Sequence, residues 1–288
     1  MASATLGFIG LGVMGAPMCR NLAAKSGARV LAFDLKDVPG FTKTGSIREV
    51  SAADVIFLSL PGEPEIREVC NELLEHALPG QAVVDCSTAP VALARELAAA
   101  FAARGAHFAD APVARTRQAA VDGTLSITVG ADPALFARIE PLLRCMASDV
   151  THCGAPGAGQ AVKLLNNMVL STTVMALAEA LAVAKASGAV EPKRLFEALA
   201  KGSADSFALR SHGMKALLPE SHPERAFPVT YMLKDLGYAL ELARSAGLEL
   251  QGAGTVRRLL EETAALGLGE AYHTALIEAV RRHRAEAG

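Results

Sequence analysis

The chain of 288 residues is long enough for two hydrophobic cores, because single cores stop growing at about 250 to 300 residues. Hydrophobic residues make up 51% of it and charged residues 20%, proportions typical of globular proteins, which excludes intrinsic disorder. The formal net charge of −2 argues against a polyanionic partner, and the basic run at 281–284 is interpreted as a solvated helix end. We therefore predict no binding of nucleic acid.

Cysteine usage and apolar stretches indicate the compartment. The five cysteines contain no CxxC pair and their number is odd, so we expect no disulfide framework and no metal site. The first residues, MASATLGFIG, lack the basic segment of a signal peptide, which predicts a cytoplasmic protein. The most apolar stretch, 168–184, is interrupted by Glu179, so it predicts a buried helix and no membrane association.

Short β-branched runs alternate with alanine- and leucine-rich helical segments up to about residue 155. The predicted strands are 5–9, 29–33, 55–60, 82–86, 107–109 and 125–129. Segments such as 14–26, 64–77 and 91–104 supply helices between them. This alternation predicts an α/β domain with a doubly wound, mostly parallel sheet and helices on both faces.

Beyond about residue 160 the strand pattern ends and helix follows helix. The predicted helices are roughly 160–187, 192–201, 229–246, 253–266 and 270–285. We therefore predict a first domain at 1–160 and an all-α C-terminal domain at 161–288, with the glycine-rich segment 154–159 at the boundary. The first of these helices is a long interdomain helix of about 40 Å. Since it is apolar all round, both domains or a second subunit must cover it, which predicts a homodimer or homotetramer.

A glycine pattern follows the first predicted strand. Gly10, Gly12 and Gly15 form GxGxxG directly after an apolar run and directly before a helical one. In a Rossmann domain the first glycine permits a tight turn, the second lets the backbone approach a pyrophosphate, and the third lets helix and strand pack closely. The residues between them, Leu11, Val13 and Met14, would complete the phosphate-binding loop at the N-terminus of the helix.

An acidic residue at the end of the second strand supports this interpretation. Asp34 lies nineteen residues past Gly15, where a carboxylate accepts hydrogen bonds from a ribose diol and repels a 2′-phosphate. NAD is therefore the predicted cofactor, while Lys36 nearby leaves NADP open. The alternative is a glycine-rich turn with an unrelated surface aspartate.

Two polar side chains interrupt the apolar long helix. Lys163 and Asn167 are four residues apart and so share one face, which Ser171 continues. Hydride transfer to a carbonyl produces an alkoxide that must be protonated, and a lysine near a helix N-terminus in apolar surroundings is suited to that step. From spacing alone, a lysine that extends to solvent beside a capping asparagine is an equal alternative.

Three separate stretches resemble one family. GFIGLGVMGAPMCRNL, DCSTAPV (85–91) with DAPV and DGTL, and GAGQAVKLLNN are similar to motifs of the β-hydroxyacid dehydrogenases, and the similarity extends over essentially the whole chain. The resemblance implies a Rossmann domain, a long interdomain helix and an all-α domain that also forms the oligomer interface.

The resemblance also implies roles for individual residues. Lys163 would be the catalytic acid/base and Asn167 would hold the substrate beside it. Lys234 would close over cofactor and substrate, although Lys234 and Asp235 without the resemblance are a solvated charge pair. The residues implied to line the nicotinamide side are Leu60, Pro61 and Thr88.

One loop departs from the family pattern. The family usually has DAPVSGG, whereas this chain has Ala114, Arg115 and Thr116 after DAPV. A guanidinium binds a carboxylate, sulfonate or phosphate with two parallel hydrogen bonds. We therefore predict that Arg115 binds the substrate's acid group, that Ala114 and Thr116 line it, and that Arg117 is solvated.

The predicted function is hydride transfer between a nicotinamide and a short β- or γ-hydroxy acid or its semialdehyde. The Arg-Thr pattern is similar to that of sulfolactaldehyde reductases, which leaves that substrate and succinic semialdehyde as alternatives, and it puts 3-hydroxyisobutyrate itself in doubt. An imine reductase shares the architecture but generally replaces the lysine. A non-catalytic NAD sensor would carry the same glycines and stays a second alternative.

Overall fold

The computed structural model describes residues 5–41, 44–224 and 227–283. The chain divides into two compact units, Met1–Lys163 and Leu164–Gly288. The division falls within one long helix.

The first unit is built on an eight-stranded sheet. Its strands are β1 (Thr5–Ile9), β2 (Arg29–Phe33), β3 (Val55–Leu58), β4 (Ala82–Asp85), β5 (His107–Asp110), β6 (Val113–Ala114), β7 (Leu125–Gly130) and β8 (Ala147–Gly154). Strands β2, β1, β3, β4 and β5 lie side by side in that order and are all parallel. The six strands predicted from the sequence are confirmed as elements of this sheet.

Helices cover both faces of the sheet. They are α1 (Gly15–Ser26), α2 (Ile47–Val50), α3 (Glu63–Glu75), α4 (Val91–Ala102), α5 (Arg117–Asp122) and α6 (Pro133–Leu143). Side chains alternate along a strand, so β3 sends Phe57 into the core beneath α1 and α6, and Leu58 into the core beneath α3 and α4. The doubly wound α/β prediction is therefore confirmed.

The part of the first unit after β5 contains β6, β8 and α6, which the sequence did not predict, beside the predicted β7. Strand β7 runs antiparallel to β5 and β6 and parallel to β8. Half of the residues of strand β8 are exposed, and only Ala147 is buried. Helix α6 begins after Asp132, whose carboxylate accepts the N–H groups of Ala134 and Leu135.

The second unit is helical. After α7 (Ala158–Ser187), which begins in the first unit, its α-helices are α8 (Pro192–Leu199), α9 (Val229–Ser245), α10 (Gln251–Thr263) and α11 (Ile277–Val280). A π-helix at Leu209–Leu217 and a second short one at Ala264–Leu268 complete it, with a 3₁₀ turn at His273–Leu276. Their apolar faces form one core, which includes Val174, Leu236 and Leu260.

The helix predicted at 270–285 is confirmed only in part, because the helical residues run from His273 to Val280. Tyr272 forms an antiparallel bridge with Pro228, and the N–H of His273 donates to the carbonyl of Phe227. This pairing holds the chain extended just before residue 273, so the helical part shrinks to a 3₁₀ turn and α11. Residues 284 and 285 lie outside the described part of the chain.

Helix α7 is also the one helix of the described residues that is long and apolar enough to cross a membrane. The core helix of a soluble protein passes the same test, and 39% of its most apolar window is buried. The observation is therefore weak evidence for a membrane span.

Candidate active site

The glycine loop between β1 and α1 has the form that a dinucleotide requires. Gly10 has a φ of +93°, and a Cβ there would collide with the carbonyl oxygen of Ser59. A Cβ on Gly15 would collide with the carbonyl oxygen of Gly10, whereas a Cβ on Gly12 would meet nothing within 4 Å. The fold thus explains the first and third glycines. The second leaves the loop backbone open to a ligand, as a pyrophosphate needs.

The start of α1 supplies the anion-binding groups of this loop. Met14 occupies the N-cap position and its side chain makes no capping hydrogen bond. Leu11 is buried, while Gly12 and Val13 are exposed at the tip of the loop. Backbone N–H groups at an uncapped helix N-terminus attract phosphate, so these residues fit the diphosphate of NAD or NADP.

Asp34 links this loop to the second strand. Its carboxylate accepts the N–H of Leu11 at 2.7 Å and the N–H of Lys36 at 2.8 Å. The side chain is half-buried, just after β2 ends. A carboxylate oxygen accepts more than one hydrogen bond, so Asp34 is chemically suited to a ribose hydroxyl. Asp34 therefore supports the loop, a role that the sequence did not indicate.

The residues predicted to line the nicotinamide follow two neighbouring strands. Leu60 and Pro61 come after β3, and Thr88 comes after β4. The buried hydroxyl of Ser87 accepts the N–H of Leu60 at 2.8 Å, and Asp85 accepts the N–H of Ser87 at 2.9 Å. These bonds hold the two loops together at the carboxyl edge of the parallel sheet, where open α/β sheets bind ligands.

A buried carboxylate fixes the beginning of α7. Asp110, fully buried at the end of β5, accepts the N–H of Gly157 at 2.6 Å and the N–H of Gln160 at 2.8 Å. Burial raises the pKa of the Asp110 carboxyl, while these N–H groups act in the opposite direction. A Cβ on Gly130 would collide with this carboxylate. The negative charge also lies at the positive end of the helix dipole.

Gln160 attaches the first turn of α7 to the loop that follows β4. Its side chain is fully buried, accepts the N–H of Ala89 at 3.1 Å and donates to the carbonyl of Ser87 at 2.8 Å. The first turn of α7 is thus bonded to the ends of β4 and β5. Half-buried Lys163 lies on the next turn, so its backbone position is determined by these contacts. Neither Asp110 nor Gln160 was assigned a role from the sequence.

In the second unit, Asn167 is paired with a buried acid. Its Nδ2 donates to Oδ2 of Asp235 at 2.8 Å, and both side chains are almost completely buried. Nζ of Lys234 lies 3.5 Å from the other Asp235 oxygen and 5.7 Å from the ring centroids of Tyr231 and Tyr238. The alternative of a solvated Lys234–Asp235 pair is therefore wrong, because the Asp235 carboxylate is buried.

The loop at 114–116, where the sequence differs from the family pattern, makes hydrogen bonds within the first unit. Ala114 ends β6 and is half-buried. The hydroxyl of Thr116 accepts the N–H of Ala119 and caps α5, whose first residue is the exposed Arg117. The Arg115 guanidinium donates to the carbonyl of Thr124 at 2.6 Å. It also donates to Oγ of Ser148 at 2.7 Å and forms an ion pair with Asp149. Neither Ser148 nor Asp149 was singled out by the sequence.

Among the residues that the structure describes, no group of three or more histidine, cysteine, aspartate or glutamate side chains is placed to hold a metal ion. The chemistry available here is that of an amine, an amide, a guanidinium and carboxylates.

Comparison with protein families identifies both halves of the chain. Residues 5–154 match the model described as the NAD binding domain of 6-phosphogluconate dehydrogenase. Residues 157–280 match the model described as "NAD-binding of NADP-dependent 3-hydroxyisobutyrate dehydrogenase". Together they support the nicotinamide cofactor that the glycine loop fits.

Curated relatives cover nearly the whole chain. The 2-hydroxy-3-oxopropionate reductase of Escherichia coli is 34% identical over 285 residues, which is 96% of this chain and 96% of that protein. An NAD-dependent L-serine dehydrogenase of Pseudomonas aeruginosa is 35% identical over 257 residues, covering 84% of this chain and 86% of that protein.

Solved structures agree in fold. The 3-hydroxyisobutyrate dehydrogenase of Mycobacterium tuberculosis with L-serine has a TM-score of 0.88 and 31% identity, covering 97% of this chain and 99% of that one. An imine reductase from Bacillus cereus has a TM-score of 0.63 at 20% identity, covering 97% of this chain and 99% of that one. At that identity the second likeness shows the fold alone.

Proposed function

The chain belongs to the β-hydroxyacid dehydrogenase family and is an NAD(P)-dependent oxidoreductase, and from this premise we propose that it acts on a short β- or γ-hydroxy acid or its semialdehyde. The observation that carries the proposal is the start of α7, where Asp110 and Gln160 hold the turn that leads to Lys163. A catalytic amine needs such a rigid support.

Lys163 is the proposed acid and base. A bound nicotinamide supplies or accepts the hydride. In reduction, the Lys163 ammonium donates a proton to the oxygen of the carbonyl, and in oxidation the neutral amine removes the hydroxyl proton. Asn167 donates an N–H to the same oxygen, and its bond to Asp235 supports this role by fixing the amide plane.

The remaining residues are proposed to recognise the ends of substrate and cofactor. Arg115, with Ala114 and Thr116 beside it, binds the acid group, either carboxylate or sulfonate. Asp34 selects the ribose of NAD over the 2′-phosphate of NADP. The residues proposed to line the nicotinamide side are Leu60, Pro61, Thr88 and Lys234.

We also propose that the protein is a cytoplasmic homo-oligomer. Four of the five cysteines are buried, and all five are free, which suits a reducing compartment. An exposed apolar row on α7, formed by Val162, Val169, Ala176 and Val183, supports assembly with a second copy.

The test of the function is NADH oxidation with a panel of acid-bearing aldehydes, including sulfolactaldehyde and the succinic, methylmalonic and tartronic semialdehydes. Replacing the proton donor, Lys163→Ala, is expected to lower kcat by roughly a hundred- to ten-thousand-fold. NADH binding, followed by its fluorescence, is expected to stay unchanged.

Lys193 provides the matched control, since it is an exposed lysine on α8 that faces Glu197 at 4.0 Å. Lys193→Ala is expected to turn over as the parent does. Full activity of Lys163→Ala would disprove the proposed role of the lysine. NADH binding without turnover of any aldehyde would favour the sensor alternative.

A further inference from the structure

The backbone of Arg115 is in a conformation that normally requires glycine. Its φ is +85°, and among the described residues only Glu220 is another non-glycine residue with positive φ. An L residue keeps such a conformation only when surrounding contacts compensate for the strain. The contacts of the Arg115 side chain are therefore part of what holds the loop from Ala114 to Thr116 in place.

Those contacts reach two other strands of the first unit. Thr124 immediately precedes β7, and Ser148 and Asp149 lie in β8. The Ser148 hydroxyl also donates to the Asp149 carboxylate at 2.9 Å, so the two acceptors of the guanidinium are bonded to each other as well. The arginine thus ties its loop to an existing hydrogen-bonded pair.

These three contacts do not use all the N–H donors of the Arg115 guanidinium. An arginine has five N–H donors, and these bonds use the terminal nitrogens Nη1 and Nη2. Within the described residues, Nε donates no hydrogen bond. The edge that carries Nε is still able to donate to a further oxyanion.

We propose that Asp149, assisted by Ser148, is a positioning residue that orients Arg115 toward the acid group of the substrate. The inference rests on the proposed function, since it assumes that the loop meets an acid group. Asp149 holds one edge of the guanidinium, and the Nε edge is left for the substrate. A carboxylate that merely occupied Arg115 would instead compete with the substrate and weaken its binding.

If Asp149 positions Arg115, Asp149→Ala should weaken substrate binding, and if Asp149 competes with the substrate, the same variant should strengthen it. Loss of positioning is expected to raise KM for an acid-bearing aldehyde about ten-fold, which is the effect of one charge-assisted hydrogen bond, with a smaller change in kcat. KM for a neutral aldehyde of the same length is expected to stay unchanged. A lower or unchanged KM for the acid-bearing aldehyde, or equal increases for both, would overturn the proposal.

Three further variants make the result specific. In an Arg115→Ala background, Asp149→Ala is expected to have no further effect on KM, because Asp149 acts through the arginine. Ser148→Ala is expected to raise KM in the same direction by a smaller factor. The control is Glu140→Ala, which breaks another ion pair at the surface of the first unit, with Arg144 at 2.7 Å. It is expected to leave KM unchanged for both the acid-bearing and the neutral aldehyde. Independent effects of Asp149→Ala and Arg115→Ala would contradict the proposal.

A binding measurement separates this inference from the proposed function. If the parent protein reduces no acid-bearing aldehyde, the function fails, and calorimetry with succinate, an unreactive acid, decides the positioning role. A dissociation constant about ten-fold weaker in Asp149→Ala supports it. Equal binding by both proteins, or no binding of succinate to the parent, overturns it. If the parent is active and Asp149→Ala is unchanged, the positioning role alone fails.

Discussion

Asp34 illustrates how one residue serves both the fold and the proposed cofactor preference. Its carboxylate accepts backbone N–H groups from Leu11 and Lys36, so removing it disturbs the glycine loop as well as any ribose contact. A change in cofactor binding in Asp34→Ala would therefore combine the loss of these loop hydrogen bonds with the loss of a ribose contact. Asp34→Asn keeps one oxygen that can still accept the N–H of Leu11, at the loss of the bond from Lys36, and removes the charge that repels a 2′-phosphate.

We predict that Asp34→Asn lowers the ratio of kcat/KM for NADH over NADPH by about ten-fold, mainly by improving NADPH. Asp34→Ala is expected to weaken both cofactors. Steady-state rates with the two cofactors measure the ratio. Asp37→Asn, which changes an exposed acid three residues further on, is the control and is expected to keep the parent ratio. An unchanged ratio in Asp34→Asn would remove Asp34 from the proposed selectivity.

At the scale of elements, strands made of buried apolar residues were predictable, and the exposed, polar strand β8 was not. Strands β3 and β4 are runs of buried residues, and such runs are recognisable in a sequence. Strand β8 is exposed and polar, so its pattern resembles a loop. The extended pairing of Tyr272 with Pro228 overrode a helical pattern at 270–285 through a contact far away in sequence.

Helix α7 has an exposed apolar row that composition alone did not reveal. Val162, Val169, Ala176 and Val183 recur every seven residues, and the three valines are 44%, 60% and 66% exposed. A seven-residue apolar repeat is the spacing with which one helix packs against another. This row supports the proposed assembly with a second copy of the chain.

Replacing two members of the row, Val169→Glu with Val183→Glu, is expected to convert the oligomer to a monomer, because carboxylates in an apolar interface lose their hydration. Light scattering after size-exclusion chromatography measures the mass. Lys201→Glu, at an exposed position after α8, is the control and is expected to stay assembled. A monomeric parent protein, or a double variant that assembles like the parent, would contradict the interface.

At the scale of the whole molecule, the residue types of the candidate site were predictable but their supports were not. The glycine loop and the Lys163–Asn167 spacing are local patterns. Asp110 with Gln160, and Asn167 with Asp235, are pairs whose members lie 50 and 68 residues apart. Nothing in a local pattern predicts such pairs, since they depend on how distant elements fold together.

The second unit also buries a histidine that links its stability to pH. His273 is fully buried, and among the described residues neither of its ring nitrogens has a hydrogen-bond partner. Burial, and then the neighbouring His212 and His222, lower its pKa to about 3. Burial also lowers the pKa of His212, which lies beside Lys215, and of His222, which is influenced by Glu278 and Arg281.

The sign of the effect follows from proton uptake. A histidine in the unfolded chain has a pKa of about 6.5, so below that pH the unfolded state binds protons that folded His273 does not. Its contribution to stability is complete above about pH 6.5 and declines as the pH falls toward about 3. From about pH 7 to about pH 5 the loss for this one residue is about 2 kcal/mol.

We expect His273→Phe to reduce that loss. An apolar ring keeps the contacts with Tyr272 and Phe227, and it removes a buried polar group without hydrogen bonds, so stability near neutral pH should hold or rise. Urea unfolding at the two pH values measures the difference in the free energy of unfolding. His107→Phe, which replaces an exposed histidine of the first unit, is expected to keep the full pH dependence. If His273→Phe retains the parent's pH dependence, protonation of the unfolded state at this residue does not control the acid sensitivity of the second unit.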